Sequence, residues 1–273
     1  MPELPEVETV ARTIEPDVIG RVIISAEVRW AKTVATPSPK QFKEQIQGQK
    51  VLGVSRRAKY LVIRLENYSL LIHLRMSGDL AVRKGKISAE KHDRLILALK
   101  GRRGEESYLA FNDTRKFGRV WLTDNPESVL GKLGPEPLGR VFTPNWLYEN
   151  LHKRSRQLKP LLLDQTFLAG VGNIYADESL HMAKLHPLGL SNAVTPKQAK
   201  VLCEAIRSVL REGIRRNGAS IDWVYRGGEY QNYFRVYDRE GTPCLVCGTE
   251  IQKLTVGQRG THVCPKCQPL ERN

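Results

Sequence analysis

The chain lacks any run of about 18 consecutive apolar residues, the length a helix needs to cross a bilayer. A helical membrane span is therefore excluded. Its first twenty residues hold five carboxylates (Glu3, Glu6, Glu8, Glu15 and Asp17) and no apolar stretch. Neither a secretory signal nor an Arg-rich transit peptide reads this way, so the expected compartment is the cytosol, where thiols stay reduced. Internal repeats and low-complexity tracts are also missing. Acidic residues are in deficit, 29 against 43 Lys plus Arg, which leaves a net charge of +14 and a pI near 9.7. That balance fits a polyanionic partner, nucleic acid or an anionic membrane surface, or a protein that is merely basic. Apolar residues make up 41% of 273, enough for a real core and more chain than one domain usually takes.

The patterning changes along the chain. Pro5 suits a first helical turn, Glu6 and Glu8 suit the helix dipole, and Val7, Val10, Ala11, Ile14 and Val18 recur at helical spacing. Short β-rich runs follow at 22–30, 51–56, 60–65, 70–74, 80–82, 94–99, 108–111 and 119–123, with polar turns between them. Eight such runs predict a sandwich or a barrel. Four prolines and three glycines between 123 and 144 break the pattern and mark a domain boundary. Downstream the periodicity is helical. Thr195-Pro196-Lys197-Gln198 is a capping-box start, Leu202, Ile206, Val209, Leu210 and Ile214 form an apolar face, and Asn217-Gly218 ends the helix. Cys203, on that face, reads as a small buried hydrophobe. The expected division is 1–130, 131–222 and 223–273.

The other four cysteines, Cys244, Cys247, Cys264 and Cys267, form C-x2-C-x16-C-x2-C. Two disulfides would use the same residues, but a reducing compartment argues against them. Two tight turns on a hairpin supply four thiolates, a closed tetrahedral site suited to one structural zinc ion. The runs 251–256 and 261–264 read as the arms, 257–260 as the turn, and Arg259 as a projection from its tip. A forty-residue tail has too little core to hold such a loop without the metal.

Pro2, beside Met1, allows methionine removal, which would free a secondary amine able to form a Schiff base with a sugar. In an arbitrary chain Pro2 would simply start a helix. Here the strings PELPEVET at 2–9, RRAKYL at 56–61, HLRMSG at 73–78, KHD at 91–93, DTRKFG at 113–118, LGPEPL at 133–138, DQTFLAGVGNIYADESL at 164–180 and QRGTH within the cysteine cluster occur in order. Together they resemble bacterial formamidopyrimidine-DNA glycosylase from Met1 to about Gln268. The resemblance implies an α+β protein with an N-terminal β-sandwich flanked by helices, a helical helix–two-turn–helix domain and a zinc β-hairpin. It also implies a partner, double-stranded DNA containing damaged bases, and an activity, removal of oxidised purines followed by β,δ-elimination at the abasic site. Nothing in the sequence indicates a dimer face, so a monomer is expected.

By the same resemblance Pro2 is the nucleophile and Glu3 the acid that protonates the sugar ring oxygen, for which its carboxyl must carry a proton. Glu6, one turn away, either manages charge and water at the site or is only a helix-start carboxylate. Lys59 is implied to lie near the lesion's phosphate and to help the elimination step, and Arg259 to bind phosphate and assist the final elimination, a contact its fork suits. Met76, Arg115 and Phe117 match the residues that fill the gap left by an extruded base. Asn173, in a Gly-x-Gly turn opening a helix, matches a phosphate seat, and His73, His92 and Arg154 match backbone contacts.

The stretch 220–233 is somewhat shorter than the loop the family lays over the flipped base; Trp223, Tyr225 and Tyr230 either stack on bases or pack on the zinc hairpin. Two other functions use the same features. One is an endonuclease-VIII-type enzyme for oxidised pyrimidines, against which the PELPE, RRAKYL and MSG strings weigh. The other is a non-catalytic damage-binding protein, against which Pro2, Glu3, Lys59 and Arg259 weigh.

Overall fold

A computed structural model of the chain describes residues 1–101, 103–220 and 227–270. These fall into two compact units, one of residues 1–132 with 217–228, the other of 133–216 with 229–273. The expected boundary at 130/131 falls beside the first unit's edge. The one at 222/223 lies outside the described residues. Residues 229–273 pack with the helices, so the cysteine hairpin belongs to the second unit by contact.

In the first unit α1 (Leu4–Val18), β1 (Val22–Val28), β2 (Val34–Thr36), α2 (Pro39–Ile46), β3 (Val51–Arg57), β4 (Tyr60–Leu65), β5 (Ser69–His73), β6 (Gly78–Lys84), β7 (Asp93–Lys100), β8 (Glu106–Asp113), β9 (Arg119–Thr123) and a single turn, α3 (Glu127–Leu130), follow in order. The strands form two sheets, β1-β7-β8-β6 and β2-β9-β5-β4-β3. Every pairing is antiparallel except β2 with β9. All eight expected strands are present. Alternate positions Leu61, Ile63 and Leu65 on β4 meet Leu95, Leu97 and Leu99 from β7 in one buried cluster. Period-2 faces from two separate sheets sharing one core make a sandwich, which settles the choice against a barrel. The α1 face of Val7, Val10, Ala11, Ile14 and Val18 joins the same cluster, with Phe42 and Ile46 of α2.

The second unit holds α4 (Pro144–His152), α5 (Leu158–Leu163), α6 (Asn173–Met182), α7 (Pro196–Arg215) and the hairpin β10 (Gln252–Val256) with β11 (Arg259–Val263). Thr195 caps α7 as its sequence predicts: Gln198 N–H donates to Thr195 Oγ1 at 3.2 Å, and Gln198 Oε1 accepts from Thr195 N–H at 2.8 Å. Cys203 is 1% exposed on the packed face. Residues 174–181 of α6 are all buried, although Asp177, Glu178, Ser179 and His181 among them are polar.

The same start device caps α2, where Ser38 Oγ accepts from Gln41 N–H at 3.4 Å. Replacing Ser38 with Ala should cost about 1 kcal/mol. The check is a urea transition whose midpoint falls while its slope stays constant.

Candidate active site and metal centre

The N-terminus is built into the first unit. Pro2 is buried, and Glu3 and Glu6 are each 2% exposed. Glu6 Oε2 accepts from Glu3 N–H at 2.8 Å, closing a capping box at the start of α1. Its other oxygen accepts from Ala219 N–H, also at 2.8 Å. Both oxygens of Glu6 thus serve as backbone clamps, one on the residue after Pro2 and one on residue 219. Gly218 makes the second clamp possible. Its φ is +78, and a Cβ there would lie 2.6 Å from Glu6 Oε1, so only glycine fits.

Lys59 sits in the two-residue turn joining β3 to β4, after Ala58 in the left-handed region at φ 53. A strand-end lysine is usually solvated, yet Lys59 is only 4% exposed. Beside it, His73 is 7% exposed and packs edge-on against Tyr60 with ring centroids 4.7 Å apart. Burial, then the nearby charges of Arg75 and Lys59, pull its pKa down to about 3. The ring is therefore neutral at physiological pH. Its Nδ1 accepts from Arg75 N–H at 3.0 Å, which leaves the proton on Nε2. His73 can offer phosphate one neutral donor and no charge. His92 is half-buried, with Nδ1 3.1 Å from Arg94 Nη2.

Met76, Arg115 and Phe117 are all exposed, Phe117 by 47%, and the Arg115 guanidinium lies 5.1 Å from the Phe117 ring centre. One carboxylate shapes the turns that carry them. Asp113 accepts from Arg115 N–H at 3.2 Å and from Gly118 N–H at 2.7 Å, and it takes the Ser77 hydroxyl in a short hydrogen bond. Ser77 Oγ in turn accepts from Arg115 N–H at 3.1 Å. The turn bearing Met76 is so tied to the turn bearing Arg115 and Phe117. The sequence reading missed Ser77 and Asp113, although both stand inside the quoted strings.

In the second unit Arg154 is exposed, stacks 5.4 Å from the Phe167 ring centre and donates to Asn150 O at 3.1 Å. Asn173 is the first residue of α6, and its Nδ2 donates to Gly260 O at 3.0 Å. Tyr230 is 3% exposed, stacked on Tyr175 at 5.3 Å and edge-on to Phe234. Of the two alternatives for it, packing holds, on the helical core. Trp223 and Tyr225 lie outside the described residues.

The sulfur atoms of Cys244, Cys247, Cys264 and Cys267 all lie within 4.8 Å of one another. The closest pairs are Cys247–Cys264 at 3.4 Å and Cys244–Cys267 at 3.9 Å. A tetrahedron with Zn–S bonds of about 2.3 Å has edges of about 3.8 Å. The four sulfurs fit one zinc ion with no open position. Hydrogen bonds from Thr249 bring the Cys247 thiol down to about 6, whereas burial raises those of Cys264 and Cys267; metal binding would draw the latter two into the thiolate form. His181 on α6 places Nε2 3.5 Å from Cys244 Sγ. Its buried Nδ1 has no hydrogen-bond partner among the described residues, so the proton belongs on Nε2, aimed at the sulfur. Gln268 closes the far side, accepting from Cys264 N–H and donating to Leu185 O.

The hairpin differs from expectation at its tip. Gly257 and Gln258 both adopt left-handed φ, 55 and 61, and Val256 pairs with Arg259. Two consecutive left-handed residues make a two-residue turn whose twist matches the strands. Arg259 is therefore the first residue of β11 and not part of a four-residue loop; its side chain is exposed.

A sandwich followed by helices that grip a four-cysteine hairpin defines a helix–two-turn–helix protein with a C-terminal zinc finger. Family comparisons divide the chain the same way: residues 1–120 match the formamidopyrimidine-DNA glycosylase N-terminal domain, 133–224 the formamidopyrimidine-DNA glycosylase H2TH domain, and 241–270 the zinc finger found in FPG and IleRS. The formamidopyrimidine-DNA glycosylase of Pelotomaculum thermopropionicum is 44% identical over 99% of this chain and 100% of its own. That of Chloroflexus aurantiacus is 46% identical over 98% of each. A solved complex of the Lactococcus lactis protein with abasic-site-containing DNA superposes with a TM-score of 0.91 at 37% identity, covering 98% of this chain and all of that one. The chain belongs to the formamidopyrimidine-DNA glycosylase family.

Two outcomes follow from the geometry. Asp113→Ala leaves the Gly118 N–H and the buried Ser77 hydroxyl without their acceptor and Arg115 N–H with Ser77 Oγ alone, and should cost about 2–3 kcal/mol of stability. It should also weaken binding to a duplex with an abasic site more than to undamaged duplex, as read by fluorescence anisotropy with each. Zinc removal, verified by elemental analysis, should lower both the melting temperature and affinity for lesion DNA. Unchanged affinity after complete metal loss would refute a structural role for the site.

Proposed function

We propose that this chain excises oxidised purines, 8-oxoguanine and formamidopyrimidines, from double-stranded DNA and then cleaves the strand through a Schiff base on Pro2. As a family member it is a DNA glycosylase and abasic-site lyase of base excision repair. The observation that carries the Pro2 assignment is the clamped N-terminus: Pro2 is buried, and the next residue's N–H is held by Glu6. A chain end serves as a nucleophile only where it is fixed, since misplacement by about 1 Å can cost on the order of 100-fold in rate.

In this mechanism the Pro2 nitrogen, freed by removal of Met1, attacks the anomeric carbon of the damaged nucleotide. Glu3 delivers a proton to the ring oxygen, the base departs, and an iminium links enzyme to sugar. The iminium acidifies the neighbouring carbon, so loss of its proton expels the 3′ phosphate, and a second elimination expels the 5′ phosphate. Lys59 and Arg259 contact the phosphates; Lys59 helps the elimination, and Arg259 assists the second one. Glu6 acts as a clamp, the role its two hydrogen bonds favour. Met76, Arg115 and Phe117 fill the space left by the extruded nucleotide, while His73, His92, Arg154 and Asn173 contact the backbone. The working compartment is the cytoplasm and the working form a monomer.

Borohydride reduction during turnover should trap a covalent adduct through Pro2 with 8-oxoguanine duplex. Pro2→Gly, whose primary amine can still form an imine, should reduce adduct and strand cleavage, and a blocked Pro2 nitrogen should abolish both. Absence of any adduct from active protein would refute the Schiff base. Parallel excision assays on oxidised purine and oxidised pyrimidine duplexes decide the lesion class, with the purine substrate expected to be faster.

A further inference from the structure

Lys159 is 0% exposed, among the largest fully buried side chains of the molecule, and the mechanism above gives it no task. It lies on α5 in the helical unit. Its ammonium donates to Thr261 Oγ1 at 2.7 Å and to Gly260 O at 3.0 Å, and it is ion-paired with Asp177 Oδ1 at 2.6 Å. Two of the three belong to β11. An ammonium in an apolar unit costs several kcal/mol to desolvate, and apolar residues of similar volume would stabilise the fold as well or better. Stability alone therefore gives a weak reason for a lysine here. What this lysine does that an apolar residue cannot is fix the orientation of its acceptors.

The contacts run toward Arg259. Because Thr261 Oγ1 receives the ammonium proton, its own proton turns away, and it donates to Arg259 O at 3.0 Å. Gly260 O is held twice, by Lys159 Nζ and by Asn173 Nδ2. Asp177 closes the ring, its second oxygen accepting from His262 N–H at 3.0 Å. Gly260 O and His262 N–H are thus gripped from α5 and α6, and Arg259 O is held by the hydroxyl of Thr261, which Lys159 orients. Arg259 itself stands exposed on the end of the gripped strand.

We propose that Lys159, paired with Asp177, is a positioning residue that sets the backbone of the hairpin tip and through it the direction of Arg259. The proposal rests on the reading of Arg259 as a phosphate-binding group, and the test separates the two. In Lys159→Met/Asp177→Asn no charge is left buried alone, and the Asn oxygen still accepts from His262 N–H, so a role limited to charge balance predicts a parent-like protein. We expect zinc-loaded, folded double variant whose amides at 259–262 exchange with solvent at least about tenfold faster than the parent's. Its strand cleavage should fall by on the order of 100-fold, through kcat more than KM. Adding Arg259→Ala to it should cost little more, although Arg259→Ala alone costs a comparable factor. Thr261→Val, which keeps the ion pair and removes only the hydroxyl link, should shift exchange and cleavage in the same direction by less, and it supplies the reading should the double variant fail to fold. Parent-like exchange at 259–262 in either folded variant, or fully additive losses with Arg259→Ala, would overturn the proposal. If Arg259→Ala alone leaves cleavage intact, the phosphate role of Arg259 falls while the exchange rates still decide whether Lys159 holds the tip.

Discussion

Consecutive carboxylates, Asp177 and Glu178, stand on a helix with no solvent-facing side over 174–181, and the helical unit is arranged around satisfying them. An isolated carboxylate in such a place would carry a desolvation cost of several kcal/mol. Glu178 meets it with backbone donors: the N–H groups of Arg235, Val236 and Tyr237 all point at its oxygens, at 2.9 to 3.1 Å. Burial nonetheless pushes its carboxyl up from the ordinary range, against the pull of those three donors. Asp177 uses an ammonium and one more N–H. Since the two side chains leave the helix about 100° apart, they reach different segments, one entering the cysteine hairpin and one within it. The hairpin has only a small apolar cluster of its own, Val236, Cys244, Ile251 and Cys264. Two polar anchors on α6 and a metal site do what a core would do in a larger domain.

The first unit uses the same device. Glu6 joins the start of α1 to residue 219, and Asp113 joins the turn at 77 to the turn at 113–118. In each case a short carboxylate accepts from backbone N–H groups of segments that share no regular ladder. A carboxylate accepts several such bonds at once and in directions a single carbonyl cannot cover. Exposed side chains such as Met76, Arg115 and Phe117 can then stand on loops without the loops being loose.

How far the sequence foretold this depends on the range of each interaction. The sandwich strands and α7 were legible, because period 2 and period 3.6 report local faces. The cysteine site was legible because metal geometry ties ligand spacing to turn length. Helix α2 was missed although Ser38-Pro39-Lys40-Gln41 repeats the start signal of Thr195-Pro196-Lys197-Gln198; eight residues with two buried apolar side chains are too few to show a period. Strand β2 was missed because three residues paired in parallel with β9 leave no local trace. The turn at Gly257-Gln258 was read as longer because a glutamine seldom takes left-handed φ. Hardest of all were the buried charges. Lys59, Lys159, Asp177 and Glu178 look like solvated residues in one dimension, and only the fold shows what they face.

Those buried groups also bear on the charge with which the chain meets its partner. The buried set includes six acids, Glu3, Glu6, Asp93, Asp113, Asp177 and Glu178, against three bases, Lys59, Arg94 and Lys159. With more acids than bases withdrawn inside, the solvent-facing groups carry a larger excess of bases than the formal +14 implies. Association with a duplex then proceeds by counterion release, which is indifferent to sequence and steep in salt. Such binding brings the protein onto DNA everywhere and identifies nothing. Recognition of damage needs accurately placed groups, and in both units buried carboxylates hold the turns and strands that carry the candidate groups.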